Sequence, residues 1–188
     1  YSQKDTFFYF YEPVEFKKES LKKIPSFVTV LFDVSDSGKN RDIEKEIDFL
    51  KKYVSYIEEN KKKASDFELT VMTFSNEINE VKTFGEKAVP FSELEDFLKG
   101  QFLDGATSYD FNLNKISADE ILLFTDGIEN WKNGEERNWN TNIPVHTICS
   151  ASSANFLKLR RIADEHNGVY LNLTNMDAET AVSKFQIN

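Results

Sequence analysis

A single cysteine, Cys149, excludes an internal disulfide and any zinc site built on several thiolates. One buried-type thiol leaves the redox compartment open. No run of 18 apolar residues occurs, so the sequence offers no transmembrane helix and no direct membrane insertion. No basic leader precedes an apolar core at the start, so no signal peptide is visible. The chain begins at Tyr1 without an initiator Met, which reads as a fragment or mature form whose targeting information has been removed. Positive charge is scarce: 23 Lys and Arg stand against 32 Asp and Glu, a net charge of −9. Nucleic acid and anionic membrane both need a basic face and are excluded as main partners. The one basic run, Lys61-Lys62-Lys63, reads as a solvated turn after a helix. Catalytic signatures are missing as well. There is no Gly-x-Ser-x-Gly elbow, and Gly38-Lys39 lacks the upstream glycine of a phosphate loop. No internal repeat or low-complexity tract is present.

What the chain has is apolar mass in short periodic pieces. It is 188 residues long, 40% hydrophobic and 14% aromatic, with 17 Phe, enough for one domain with a full core. An aromatic strand is predicted at 6–11, followed by a charged connector to residue 25, and the main domain at 26–188. The run Val28-Thr29-Val30-Leu31-Phe32 is a buried strand by length and β-branching. Ile43, Ile47, Leu50, Val54 and Ile57 form one stripe on a helix over 40–58. Strands follow at 67–74 and, with a charged edge character, at 78–84. Ser92-Glu93-Leu94-Glu95 matches a capping box for a helix at 93–99, ended by Gly100. Strands are predicted at 120–125, 144–149 and 169–173. A helix capped by Ser152 or Ser153 runs through His166 and closes at Asn167-Gly168, and a final helix covers 177–185. Alternating strands and helices give an α/β fold with a mostly parallel sheet covered on both faces. Ligands of such sheets bind outside the carboxyl ends of the strands.

Three oxygen-rich stretches fall at that edge. Asp33, Ser35 and Ser37 follow the buried strand at 28–32 as Asp-x-Ser-x-Ser. Gly105-Ala106-Thr107 lies in the loop before the predicted strand at 120–125, and Thr125-Asp126-Gly127 stands at that strand's end. A hydrophobic core asks for no such cluster, whereas a hard cation takes oxygen ligands. Alone, Asp33, Ser35 and Ser37 also fit a polar turn capping the next helix. Asp104 and Asp110 read as turn residues. His146 and His166 read as structural, and Cys149 as a small buried hydrophobe. Asn172-Leu173-Thr174 matches a glycosylation acceptor but falls in a predicted strand.

Together, in this order, the three stretches resemble the metal-ion-dependent adhesion site of a von Willebrand factor A domain. The resemblance covers about residues 26–188. It implies a three-layer Rossmann-like sheet with one antiparallel edge strand. It also implies Mg²⁺ (or Mn²⁺ or Ca²⁺) ligated by Ser35, Ser37 and Thr107, with Asp33 and Asp126 holding the ion directly or through water. Neutral hydroxyls leave such an ion under-neutralised, so a partner protein would supply an Asp or Glu to it. Asp36, Ser108, Trp131 and Trp139 would form the partner-binding rim, with packing against their own loop as the alternative for the two tryptophans. The aromatic segment at 6–11 with its connector is similar to inter-alpha-trypsin inhibitor heavy-chain-like proteins, which implies a β-rich VIT domain upstream. That architecture points to a secreted, cell-surface or envelope-associated protein rather than a cytoplasmic one. The last helix corresponds to the element that shifts in some family members. Two departures stand out. Position 36 is Asp where the family usually has Gly, which would weaken the pull on an acidic partner unless the side chain faces solvent. Residues 108–119 are short for the usual helix, and Asn112, Asn114 and Ser117 are poor helix formers, so a single turn at most is expected. Two other readings remain: a scaffold domain without a working metal site, and a metal-dependent hydrolase or phosphotransferase using Asp33 as nucleophile. The latter lacks a second acidic residue at position 35 and a lysine partner.

Overall fold

The apolar run after Ser26 becomes the central strand of a sheet because both of its faces find cover. In the computed structural model, which describes residues 23–63, 66–85, 88–132 and 139–187, this strand is β1 (Phe27–Asp33). The predicted strand at 6–11, the connector before residue 23 and residues 133–138 of the loop between the tryptophans lie outside the described residues.

The elements follow in the order α1 (Ile43–Asn60), β2 (Glu68–Phe74), β3 (Ile78–Phe84), α2 (Phe91–Lys99), β4 (Glu120–Phe124), β5 (Val145–Cys149), α3 (Phe156–Glu165), β6 (Tyr170–Asn172) and α4 (Ala178–Ile187). They build one six-stranded sheet ordered β3-β2-β1-β4-β5-β6. All neighbours are parallel except β2 and β3, so β3 is the antiparallel edge strand that the fold class requires. Val30 of β1 is in register with Val71 of β2 on one side and Leu122 of β4 on the other.

Alternation of side chains splits the core in two. Val28, Val30 and Phe32 of β1, with Leu122 and Phe124 of β4, pack against α1, α2 and α4 on one face. Leu31, Ile121, Leu123 and Val145 meet Ile162 of α3 on the other. Phe49 of α1 sits among Tyr53, Phe124 and Phe185, each with ring centroids 6.2 Å away. Tyr53 donates its hydroxyl to buried Glu120, and burial pushes the phenol far above its ordinary range.

Helix starts differ from their sequence signals. The start of α2 is Phe91, with Pro90 at the N-cap, so Ser92 lies inside the helix and the capping box does not form. Pro90 already presets the backbone for entry. Glu95 instead bonds Lys99 and Lys51 at 2.8 and 2.9 Å, which hold its carboxyl down to about 2. The cap of α3 is Asn155, whose side chain accepts from Lys158 N at 3.1 Å, rather than Ser152 or Ser153. Residues 108–119 hold only the 3₁₀ turn Leu113–Lys115.

Cys149, fully enclosed at the end of β5, has its thiol pushed up to about 11, chiefly by burial. The thiolate is the reactive form. At pH 8 the folded chain is therefore expected to resist iodoacetamide and to react only once unfolded in guanidinium. Native-state labelling at the unfolded rate would contradict this placement.

Candidate metal centre

Because β1 and β4 are neighbours in a parallel sheet, their carboxyl ends bring Asp33 and Asp126 to one edge. Asp33 is fully buried and already bonded at both oxygens. Oδ1 accepts from Ser35 N at 2.9 Å, and Oδ2 accepts from the Thr125 hydroxyl at 2.5 Å. Thr125 Oγ1 lies 2.8 Å from the Tyr109 hydroxyl and accepts from Gly127 N at 3.1 Å. Since Thr125 gives its proton to Asp33, Tyr109 donates to Thr125. Burial, then the charge of Asp33, raises the Tyr109 phenol well above its usual value, so it stays a neutral donor.

After Ser35 the chain turns into a 3₁₀ segment, Asp36–Asn40, which leaves the Ser35 and Ser37 hydroxyls 3.2 Å apart. Backbone bonds lock the threonine loop onto this turn: Asp36 N to Gly105 O at 3.0 Å and Asp104 N to Val34 O at 2.9 Å. The loop after β4 is tied to both. Thr107 N donates to the Asn130 side chain at 2.7 Å, and Trp131 N donates to Thr107 O at 3.1 Å. The positive φ of Gly127, 73°, turns the chain so that Asp126 Oδ1 accepts from Ile128 N at 2.9 Å.

Two oxygens in this cluster are left over. Thr107 Oγ1 and Asp126 Oδ2 are buried and have no hydrogen-bond partner among the described residues. Leaving such a group buried and unpaired costs about 1–3 kcal/mol, so each one calls for a physical reason. Burial raises the Asp126 carboxyl above its ordinary range, and the nearby Asp33 charge adds to this; the Ile128 N–H and the Ser37 hydroxyl pull it back. Two carboxylates and three hydroxyls are hard oxygen donors suited to Mg²⁺, Mn²⁺ or Ca²⁺. Among the described residues no three His, Cys, Asp or Glu side chains converge on a point, so a cation at this edge would depend on the hydroxyls.

The rim residues divide. Asp36 is exposed and ion-paired with exposed Lys39, so its charge is turned to the surface and partly offset. Trp131 is 53% exposed. Ser108 is buried, with its hydroxyl accepting from Asp110 N at 3.2 Å, so it is a turn residue and offers a partner no side-chain surface. Trp139 donates its indole N–H to Tyr109 O at 2.9 Å and packs 5.2 Å from the Phe111 ring, which makes it part of the second core.

Sequence reasoning missed Tyr109, Asn130, Arg41 and Glu46, and it gave Thr125, which stands in the third motif stretch, no role of its own. For Glu46 there was a signal: it stands between Ile43 and Leu50 on the apolar stripe of α1, where a charge needs a buried partner.

No protein-family model matches the chain, and no curated protein matches it either. Solved structures share its fold. The manganese-loaded TRAP protein of Plasmodium vivax superposes with a TM-score of 0.53 at 16% identity, over 85% of this chain and 72% of that one. An aerotolerance-related membrane protein from Bacteroides fragilis gives 0.52 at 15%, over 86% and 98%. Proximal thread matrix protein 1 from the mussel byssus gives 0.51 at 17%, over 84% and 44%.

Proposed function

We propose that this chain is a protein-interaction domain of von Willebrand A type that engages its partner through a divalent cation. The observation that carries the reading is the pair of orphaned buried oxygens, Thr107 Oγ1 and Asp126 Oδ2, in the same loop cluster as Ser35 and Ser37. Bound Mg²⁺ or Mn²⁺ would supply an electrophilic centre for a partner carboxylate. Thr107, Asp126, Ser35 and Ser37 would hold the ion. Asp33, with both oxygens already accepting, would orient Ser35 and Thr125 and reach the ion by a remaining lone pair or through water. Asp36 does not oppose an acidic partner strongly, because Lys39 offsets its charge. The manganese carried by one protein of the same fold is consistent with this reading. The reading is non-enzymatic. It places the protein at a surface or envelope, in line with the membrane and byssal neighbours. Among the described residues no helix is long and apolar enough to cross a membrane. The upstream VIT-like domain belongs to the same proposal.

Calorimetric titration with Mn²⁺ tests the metal half. One site is expected for the native chain and a large loss of affinity for Thr107→Val, which keeps the shape of the side chain and removes its hydroxyl. Absence of binding to the native chain at millimolar Mn²⁺ would reject the metal site.

The partner half follows from exposed Trp131, whose backbone N–H is bonded to Thr107 O. Peptides selected on the domain in Mg²⁺ and eluted with EDTA should be enriched in Asp or Glu. Trp131→Ala should weaken the selected peptides by more than about 1 kcal/mol, as for a buried aromatic anchor. Selection of peptides without acidic residues, held equally in EDTA, would point to a metal-independent surface.

A further inference from the structure

Arg41 and Glu46 form an ion pair whose side chains are both fully buried. The guanidinium meets Glu46 through Nε, 3.2 Å from each carboxylate oxygen, and through Nη2 at 2.8 Å. Its remaining arm, Nη1, donates to the backbone oxygen of Asp33 at 2.7 Å. The guanidinium also lies over the Phe32 ring, 4.8 Å from its centroid. Glu46 is fixed from the far side: its Oε1 accepts from Ser150 N at 3.2 Å and from Ser150 Oγ at 2.7 Å. Ser150 Oγ in turn accepts from Asp42 N at 2.7 Å, at the entry to α1.

Stability alone is a poor explanation for this arrangement. Removing two charges from water costs several kcal/mol per ion, and neutral replacements of buried pairs are often as stable. What the pair holds is more telling. The segment from Asp33 to Arg41 carries Ser35 and Ser37. Its backbone is closed twice, by Gly38 N to Ser35 O and by Arg41 N to Gly38 O, both at 3.0 Å. The Arg41 side chain then returns to Asp33 O and completes a ring around the two serines. Only a planar fork can serve Glu46 with one edge and Asp33 with another; a lysine ammonium is a single point charge.

We infer that Arg41 is a positioning residue for the cation site, closing the loop that presents Ser35 and Ser37; this rests on the metal-binding reading above. Arg41 donates no hydrogen bond to a proposed metal-ligating side chain; its charge is felt by the Asp33 and Asp126 carboxylates, while its hydrogen bond holds the Asp33 carbonyl and with it the loop backbone. Glu46 and Ser150 fix its orientation and couple the loop to the end of β5.

The test compares the native chain with Arg41→Lys and with Arg41→Met/Glu46→Gln. The double variant removes both charges of the Arg41–Glu46 pair together and keeps an acceptor for Ser150. Two quantities are read well below the melting temperature: Mn²⁺ affinity, and amide hydrogen exchange over residues 34–38 in metal-free protein. The double variant should melt close to the native chain, bind Mn²⁺ about 10- to 100-fold more weakly, as outer-shell losses do, and exchange faster at 34–38 while residues 30–32 stay protected. Arg41→Lys should show the same two losses, and it carries the test if the double variant does not fold. Native affinity in either folded variant overturns the inference, as does slow exchange at 34–38. Should the native chain itself take up no Mn²⁺, the metal reading fails, and exchange at 34–38 alone decides whether Arg41 closes the loop.

Discussion

Without metal, Asp126→Asn should melt at or above the native chain; with millimolar Mn²⁺ the order should reverse. The first half follows from burial. The Asp126 carboxyl is raised above the ordinary carboxylate range, chiefly because its charged form is desolvated. An acid with a raised folded pKa favours folding while protonated. That contribution is present below the unfolded value and is lost as pH rises through the folded value. At neutral pH the ionised side chain therefore opposes folding. Asparagine removes the charge and keeps an acceptor for Ile128 N. The second half follows from mass action. A cation bound only by the folded state at 100 times its dissociation constant adds about 2.7 kcal/mol, or roughly 5–10 °C for a domain of this size. The variant lacks one carboxylate ligand and should gain little. Because metal binds the deprotonated carboxylate, native Mn²⁺ affinity should also fall as pH drops into the interval where Asp126 protonates. Melting curves at pH 7, with EDTA and with Mn²⁺, measure all of this. A variant that melts below the native chain in EDTA, with an equal shift in Mn²⁺, would show that Asp126 has a structural role only.

The fold was legible wherever side-chain period and burial agree. β1 and β4 are short and apolar on both faces, and their two sets of residues line the two cores, as a covered parallel strand must. The carboxyl-edge position of Asp33 and Asp126 came with that topology. Side-chain direction in loops was not legible. Ser108 and Trp139 lie in loop stretches of the sequence, yet one closes a turn and the other fills a core; only the packing of Phe111 and Tyr109 decides this. Caps were misplaced for a related reason. Ser92 and Ser153 are good caps by type, but Pro90 and Asn155 stand where the chain enters the helices. Arg41 was hidden because a charge beside a helix start reads as solvated until a buried partner is known.

Gly168 and Gly127 should respond to the same substitution in opposite ways. A Cβ on Gly168 would fall 1.8 Å from Val145 O and 2.4 Å from Val145 C, backbone atoms that cannot rotate aside. The left-handed residue of this turn is Asn167, at φ 52°, so glycine at 168 serves close approach. Gly168→Ala must push β5 away from the turn before β6. Overpacking typically costs about 1–3 kcal/mol, and a backbone clash should exceed that range, a drop on the order of 10 °C or more. Val145 begins β5, at the sheet edge opposite Asp126, so Mn²⁺ affinity of the folded fraction should stay native. Gly127, at φ 73°, follows Asp126 directly, and its Cβ would meet Leu159 Cγ at 2.9 Å and Asn155 O at 3.1 Å. The left-handed backbone adds about 1–2 kcal/mol for any L side chain. Leu159 can yield in part, so Gly127→Ala should lose less stability than Gly168→Ala. Relief of that contact moves Asp126, and a ligand must sit within about 0.5 Å of its place, so Mn²⁺ affinity should drop roughly tenfold or more. Calorimetry on both variants at a temperature where each is folded separates the two effects. Equal Mn²⁺ affinities would mean that the turn at Gly127 does not place the carboxylate.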